Sequence, residues 1–366
     1  MSLTIDITGL PDERLLFTPS PLAELSAMLH VLAEPAHHPA LHGWAASTTA
    51  TVPPALADRL GEAEFLWRSS RADFLVPGLP GATLAEELDA VDRIDDEQYV
   101  RAALVMTCGA SRLAHRFASP LTDPVAQERA RDLALARGPR QADFADRLLT
   151  DPPAVRALVR RLLEDCADAF FADAWRRVLP ELASDARRKT DLLVRHGAAE
   201  ALAAVSSAVQ LEDTGEGRRR IVVDKLQDNT TSGTAGGGVT FVPTAFGRPH
   251  LLVVSAPGWR PVVQYPVAEE GGGTEPVSLA VVQQRLEALA HPVRLRLART
   301  IARGPHTTGE LAAAWQLSAP EVSRHLAVLR KAGLLTTHRR GRYMHYQLDL
   351  AGSARLGTDL LEAVLR

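Results

Sequence analysis

Residues 307–348 read TTGELAAAWQLSAPEVSRHLAVLRKAGLLTTHRRGRYMHYQL, and the punctuation inside this stretch predicts two short helices, tightly joined, followed by a basic hairpin. The Thr307 hydroxyl is placed to accept from the unpaired amides of a helix start, while Glu310, three residues on, reaches back to close a capping box. Leu311 and Ala314 are expected to point inward along this helix, which stops near Gln316 and Leu317. A second box, Ser318 with Glu321, opens the next helix, and Pro320 is tolerated in its first turn. Two boxes eleven residues apart force a sharp joint.

On the second helix Val322, Leu326 and Leu329 recur at four and three residues, so one stripe faces a core and the other face is left to solvent or a ligand. That free face is small and polar. Ala319, Pro320, Ser323 and Arg324 lie near the helix N-terminus, where a recognition helix reaches base edges and the dipole favours a phosphate. Arg330 and Lys331 follow near the far end, and Gly333 holds the usual place of a left-handed stop. The period then changes: Met344, Tyr346 and Leu348 alternate with Tyr343, His345 and Gln347, which predicts a strand. Arg339, Arg340 and Arg342 crowd the turn before it, and Gly341 supplies the positive φ of a hairpin turn, so guanidinium groups face a phosphate backbone. An arginine-rich turn alone is most often a solvated surface. Joined to two capped helices, it gives the layout of a winged helix-turn-helix. The DNA-contacting residues expected from that layout are Thr307, Ser318, Ala319, Pro320, Ser323, Arg324, His325, Arg330, Arg339, Arg340 and Arg342.

These residues resemble the ArsR/SmtB family of bacterial transcriptional regulators. LAHPVRLRLARTIARG (289–304) looks like the family's entry helices, GELAAAWQLSAPEVSRHLAVLRKAGLL (309–335) like its helix-turn-helix and RRGRYMHYQL (339–348) like its wing. The resemblance covers roughly residues 279–350 and implies a homodimer on an inverted repeat of double-stranded DNA, with repression relieved by a signal. Two departures matter. Metal-sensing members carry a Cys-x-Cys pair before the acidic residue of the first motif helix, whereas Thr307 and Gly309 stand here and neither offers a thiolate. The terminal segment DLAGSARLGTDLLEAVLR (349–366) contains no histidine, so the family's other metal site is lacking too. The turn position often held by glycine is Gln316.

The formal net charge of -3 hides an asymmetry: residues 278–366 carry 13 Arg and Lys against 6 Asp and Glu, while residues 1–277 carry 28 against 38. The basic end meets DNA and the acidic remainder is repelled by it. At 366 residues there is room for two or three domains. The two cysteines, Cys108 and Cys166, fall far apart inside helical patterns and are expected to be buried hydrophobes in a reducing cytoplasm. No signal pattern and no membrane-spanning apolar run is seen, so a soluble cytoplasmic protein with no membrane partner is expected.

Along the rest of the chain, MSLTIDITGL predicts a short strand and Ser20-Pro21 starts a helix through Leu22, Leu25, Leu29 and Leu32. Helical patterns follow at 55–75, 97–117, in the 124–149 region and at 153–179, with Pro77, Pro80, Pro120, Pro139 and Pro152 as stops, and Pro180 is expected to kink or break the longest segment. From Arg219 the rhythm becomes that of strands: RRRIVVDKL, GVTFVPTAF, HLLVVS and PVVQYPV. The expected fold is α+β: a helical regulatory domain over 1–207, its β-rich section over 208–268, a linker at 269–277 and a winged helix-turn-helix domain over 278–366. The segments FTPSPLAELSAMLHVLAEPAHHPALHGW (17–44) and VPTAFGRPHLLVVSAPGWRPVVQYPV (242–267) resemble the extension of large actinobacterial ArsR-like regulators. That resemblance implies a regulatory module without naming its signal.

No catalytic constellation is found and no enzyme is expected. The glycines at 236–238 lack the helix and Lys-Ser/Thr of a P-loop, and no strand-GxGxxG-helix unit occurs. His37, His38 and His42, with His30 upstream, form the most ligand-like cluster outside the DNA-binding region. Since no neighbouring thiolate completes it, ordinary polar contacts are expected there, with no metal and no cofactor. Trp44, Trp67, Trp175 and Trp259 read as core anchors, although an aromatic and polar cavity would suit a small organic effector. Leu279, Val282, Leu286 and Leu289 form one apolar stripe, and Leu356, Leu360, Leu361 and Val364 another. Together they predict a dimer interface; the alternative is that one stripe packs on the N-terminal domain. The expected function is a homodimeric DNA-binding repressor whose N-terminal domain responds to a ligand or partner. The competing reading is a protein-interaction module that docks through the winged helix and the acidic body.

Overall fold

Ser20 starts the first long helix as its sequence context predicts. Its hydroxyl accepts from the Ala23 amide and Pro21 occupies the first turn. The computed structural model describes residues 2–109, 119–213, 217–224, 229–267, 277–340 and 343–365. It divides into two compact units, residues 1–269 and 270–366.

The first unit runs β1 (Ser2–Asp6), β2 (Leu15–Phe17), α1 (Pro21–Ala33), α2 (His42–Thr51), α3 (Pro54–Ala63), α4 (Leu84–Asp92), α5 (Asp96–Thr107), α6 (Pro124–Leu135), α7 (Pro139–Thr150), α8 (Pro152–Cys166), α9 (Ala172–His196) and α10 (Ala198–Ala203). Six strands follow: β3 (Val209–Asp213), β4 (Arg219–Asp224), β5 (Asn229–Ser232), β6 (Val239–Thr244), β7 (Leu252–Val254) and β8 (Val262–Pro266). They form two four-stranded sheets, in the orders β3-β4-β1-β5 and β2-β6-β8-β7. The β-rich section therefore takes in strands from the first seventeen residues of the chain.

One core fills the helical body. It gathers Leu22 and Leu25 of α1, Trp67, Phe74, Tyr99 and Phe144, with the Phe74 ring stacked on Tyr99 at 4.5 Å. A second core lies between the sheets and α9–α10, around Ile5, Phe17, Leu202, Phe241 and Tyr265. Inside it Asp185 accepts from Lys189 Nζ at 2.6 Å and from the Tyr265 hydroxyl at 2.8 Å, so the buried charges are paired and tie α9 to β8.

Two helical expectations change. The run expected over 55–75 is α3 followed by 3-10 turns at Glu64–Leu66 and Asp73–Leu75. Consecutive Phe65, Leu66 and Trp67 are all buried there, which a single helical stripe does not provide. The 124–149 region is two helices, parted at Gly138 (φ 149) before Pro139, the stop that the sequence marks there. Pro180 does not break α9, which runs unbroken after a π turn at Ala167–Phe171. The proline forfeits one amide bond, while Ala174, Leu182, Ala186 and Leu193 hold the helix down. For the 97–117 pattern, α5 ends at Thr107, and residues 110–118 lie outside the described residues.

The second unit runs α11 (Leu279–Ala290), α12 (Pro292–Ile301), β9 (His306–Thr307), α13 (Thr308–Trp315), α14 (Ala319–Lys331), β10 (Leu335–Arg340), β11 (Tyr343–Leu348), α15 (Leu350–Ala354) and α16 (Leu356–Leu365). Its sheet has the order β10-β11-β9. Its core is Leu297, Ile301, Leu311, Val322, Leu326, Leu329 and Leu334, which makes this unit a winged helix-turn-helix. Except for Val277, the expected linker lies outside the described residues. No helix among the described residues is long and apolar enough to cross a membrane.

Candidate functional site

The turn between α13 and α14 is built by the residues that announce it. The Thr307 hydroxyl accepts from the Glu310 amide at 3.3 Å and the Thr307 amide donates to Glu310 Oε2 at 2.6 Å, closing the capping box. The Thr307 amide above all, and then the Thr307 hydroxyl donating to the same Oε2 at 2.9 Å, hold the Glu310 carboxyl below its ordinary range. Leu311 turns into the core with Ala312 beside it, whereas Ala314, expected inward, is exposed. Gln316 ends α13 in the left-handed region (φ 54, ψ 42) and turns the chain toward Ser318. The Ser318 hydroxyl accepts from the Glu321 amide at 3.3 Å. No reciprocal Glu321 bond occurs among the described residues, so this cap is one-way.

With Val322, Leu326 and Leu329 buried, α14 leaves Ala319, Pro320, Ser323, Arg324, Arg330 and Lys331 exposed. These side chains lie on the surface across from the core stripe, the first four in the opening turns and the two cations at the end. His325 differs: it is half-buried, its ring 4.9 Å from His291, and burial followed by the neighbouring His291 pulls it below its ordinary pKa. Gly333 takes φ 69 after the helix, as its position predicts.

The wing is antiparallel, with Leu335 opposite Leu348 and Arg340 opposite Tyr343. Tyr346 and Leu348 pack on the core. Arg339 and Arg340 are exposed at the end of β10 and belong to the strand. Gly341 and Arg342 lie outside the described residues.

Helices α11 and α16 pack on each other within the chain, and Arg285 donates to the buried Asp359 at 2.6 Å between them. Of the two apolar stripes, Val282 is covered and Leu289, Leu356 and Leu360 are half-covered, while Leu279, Leu286, Leu361 and Val364 stay 41–52% exposed. Sequence reasoning missed the Arg285–Asp359 pair, because residues 74 apart show no periodicity that joins them.

In the first unit Cys108 and Cys166 are buried, and burial pushes their thiols up to about 11 and about 12. A cavity of about 200 Å³ is lined by Leu29, Leu32, Val52, Leu60 and Trp67. Among the sequence-flagged histidines, His30 and His38 come together, His37 flanks them and His42 is exposed on α2. His250, which sequence reasoning missed, completes the group from a loop 220 residues beyond His30.

Residues 289–338 match a family described as a helix-turn-helix domain. The biofilm growth-associated repressor of Agrobacterium fabrum is 44% identical over 71 residues, or 19% of this chain and 61% of its own length. The chain thus spans about three fifths of that relative. The HTH-type transcriptional regulator Rv2034 of Mycobacterium tuberculosis is 43% identical over 74 residues, 20% of this chain and 69% of its own. A solved structure titled as an ArsR family transcriptional regulator covers 23% of this chain and 86% of its own at 26% identity, with a TM-score of 0.21. Residues 1–271 match the family of unknown function DUF5937. The chain therefore belongs to the DUF5937 family, with an ArsR/SmtB-type winged helix-turn-helix following the DUF5937 region.

Proposed function

We propose that this chain is a sequence-specific transcriptional repressor that binds an inverted repeat of double-stranded DNA as a homodimer, with its first unit receiving a small-molecule or partner signal. One observation carries the DNA reading: α14 sets Ala319, Pro320, Ser323 and Arg324 on an exposed face at its N-terminus, and exposed Arg339 and Arg340 end the adjoining β10. Side chains of that size suit the floor of a major groove, and the strand arginines suit phosphates. The printed names of the relatives, a repressor and a transcriptional regulator, support the same reading.

The exposed leucines and valine of α11 and α16 support a two-fold interface, which would set the two recognition helices roughly 34–36 Å apart, one DNA turn. The small apolar cavity near Trp67 supports a compact organic effector.

Selection of bound genomic fragments, followed by footprinting, tests the proposal. Arg324→Ala is expected to cost about 1–3 kcal/mol on the selected site and to relax its sequence preference, while Arg340→Ala weakens all sequences alike and lowers the salt slope by about 1. If both variants keep wild-type affinity, preference and salt slope, the docking is wrong. A chain that selects no footprint-sized site favours the protein-docking alternative.

A further inference from the structure

The side chains of His30, His38 and His250 meet inside the first unit, with their candidate ligand nitrogens all within 4.8 Å of one another. His30 lies in the last turn of α1, His38 follows the 3-10 turn Pro35–His37, and His250 lies on the loop between β6 and β7. His30 and His38 are almost wholly buried, at 2% and 1% exposure. The rings meet edge to face, with centroids 4.9–5.0 Å apart.

The hydrogen bonds orient the nitrogens. His30 Nδ1 donates to the Trp67 carbonyl at 3.0 Å, and His38 Nδ1 donates to the Arg248 carbonyl. A carbonyl only accepts, so both rings carry their proton on Nδ1 and turn a lone pair inward on Nε2. Backbone carbonyls play this part behind metal-binding histidines, where they fix the tautomer and the ring plane. His38 Nε2 is buried and has no partner among the described residues. An orphaned acceptor of this kind is costly unless something fills it. His30 Nε2 and His250 Nε2 are 3.2 Å apart. Two imidazoles on one tetrahedral zinc, with bonds of about 2.0–2.1 Å, hold their nitrogens about 3.3 Å apart.

We propose that His30, His38 and His250 form a binding site for a borderline divalent transition metal of the zinc class. Each ring donates its Nε2 lone pair, and His250 carries its proton on Nδ1 when the ion binds. Imidazole donors without thiolate or carboxylate select this class over calcium or magnesium. Burial above all, with the buried Arg71 guanidinium next for His30, keeps His30 and His38 far below their ordinary pKa, so both rings are neutral at physiological pH. Arg71 would oppose a bare dication, which points to an anion, such as hydroxide or a carboxylate, in the fourth position. His37 borders the triangle, its ring centroid 5.8 Å from His30 and 5.6 Å from His250, and its buried Nδ1 has no partner among the described residues. The absence of a neighbouring thiolate argues against a metal in the sequence. The fold supplies His250 in its place and leaves His42 out. The site stands independently of DNA binding by the other unit.

The test uses the untagged full-length chain, stripped with a chelator and titrated with cobalt(II). One equivalent of cobalt giving the intense visible bands of a tetrahedral ion, displaced by zinc(II), is the expected result. His250→Gln, at a half-exposed position, and His38→Gln should each weaken binding by at least about tenfold, while His42→Gln should bind as the wild type does. Circular dichroism checks that each variant folds. Weak, octahedral or substoichiometric cobalt in the wild-type chain overturns the site. Binding that survives His250→Gln in a folded chain overturns it as well.

Discussion

Glu24 is a carboxylate on the buried helix α1. Its Oε1 accepts from the Ala245 and Phe246 amides at 2.9 and 3.1 Å, and its Oε2 has no partner among the described residues. Burial outweighs these bonds and pushes its pKa up to about 7 from the ordinary 4.5. The folded chain therefore holds this proton more tightly than the unfolded chain does. Its contribution to stability is whole below the ordinary value of 4.5 and is lost as pH climbs to about 7. Glu24→Gln keeps an oxygen for the two amides and removes the charge. Melting curves across that window should show the variant gaining on the wild type as pH rises, and a constant difference would mean that Glu24 does not titrate there. Nothing in the surrounding sequence marks this residue, because its partners arrive from a loop 221 and 222 positions later. His250 is illegible for the same reason. The α14 surface residues are the opposite case: one helical stripe of three apolar residues is enough to place them.

Among the elements, the legible ones carry their own punctuation. The Thr307 box, the Ser318 cap and Gly333 are local signals, and each appears where expected. The strands that escaped sequence reading carry none. Leu15–Phe17 has three residues, Val209–Asp213 is polar along much of its length and Asn229–Ser232 is wholly polar. Two of the three are fixed by parallel partners distant in sequence, and such pairing leaves no hairpin-turn signal to find. Gln316, read from the sequence as the turn position, takes a left-handed conformation that costs a non-glycine residue roughly 1–2 kcal/mol, which the joint must absorb. Gln316→Gly should therefore stabilise the second unit by about 1 kcal/mol, after the added unfolded-state entropy of glycine. Denaturant unfolding checks the gain. A loss would mean that the Gln316 side chain contributes more than its backbone costs.

For the molecule as a unit of assembly, the exposed face of α11 and α16 is decisive. Leu286 and Leu361 are 41% and 47% exposed beside a buried ion pair, an apolar surface that the chain's own core does not cover. On the proposed homodimer, replacing both with Asp should halve the mass seen in sedimentation velocity and abolish tight operator binding while leaving helix content intact. A double variant that keeps the wild-type mass would place the interface elsewhere. Sequence periodicity found these stripes. It did not show which of their members the chain covers itself, because that depends on how the two helices cross.

Strand β1 is an inner strand of its sheet, with β4 on one side and β5 on the other. It is synthesised long before its neighbours, which begin at Arg219 and Asn229. Until they emerge, both of its backbone edges are open templates for wrong pairing. Holdase chaperones that cover those edges should therefore raise the yield of folded chain.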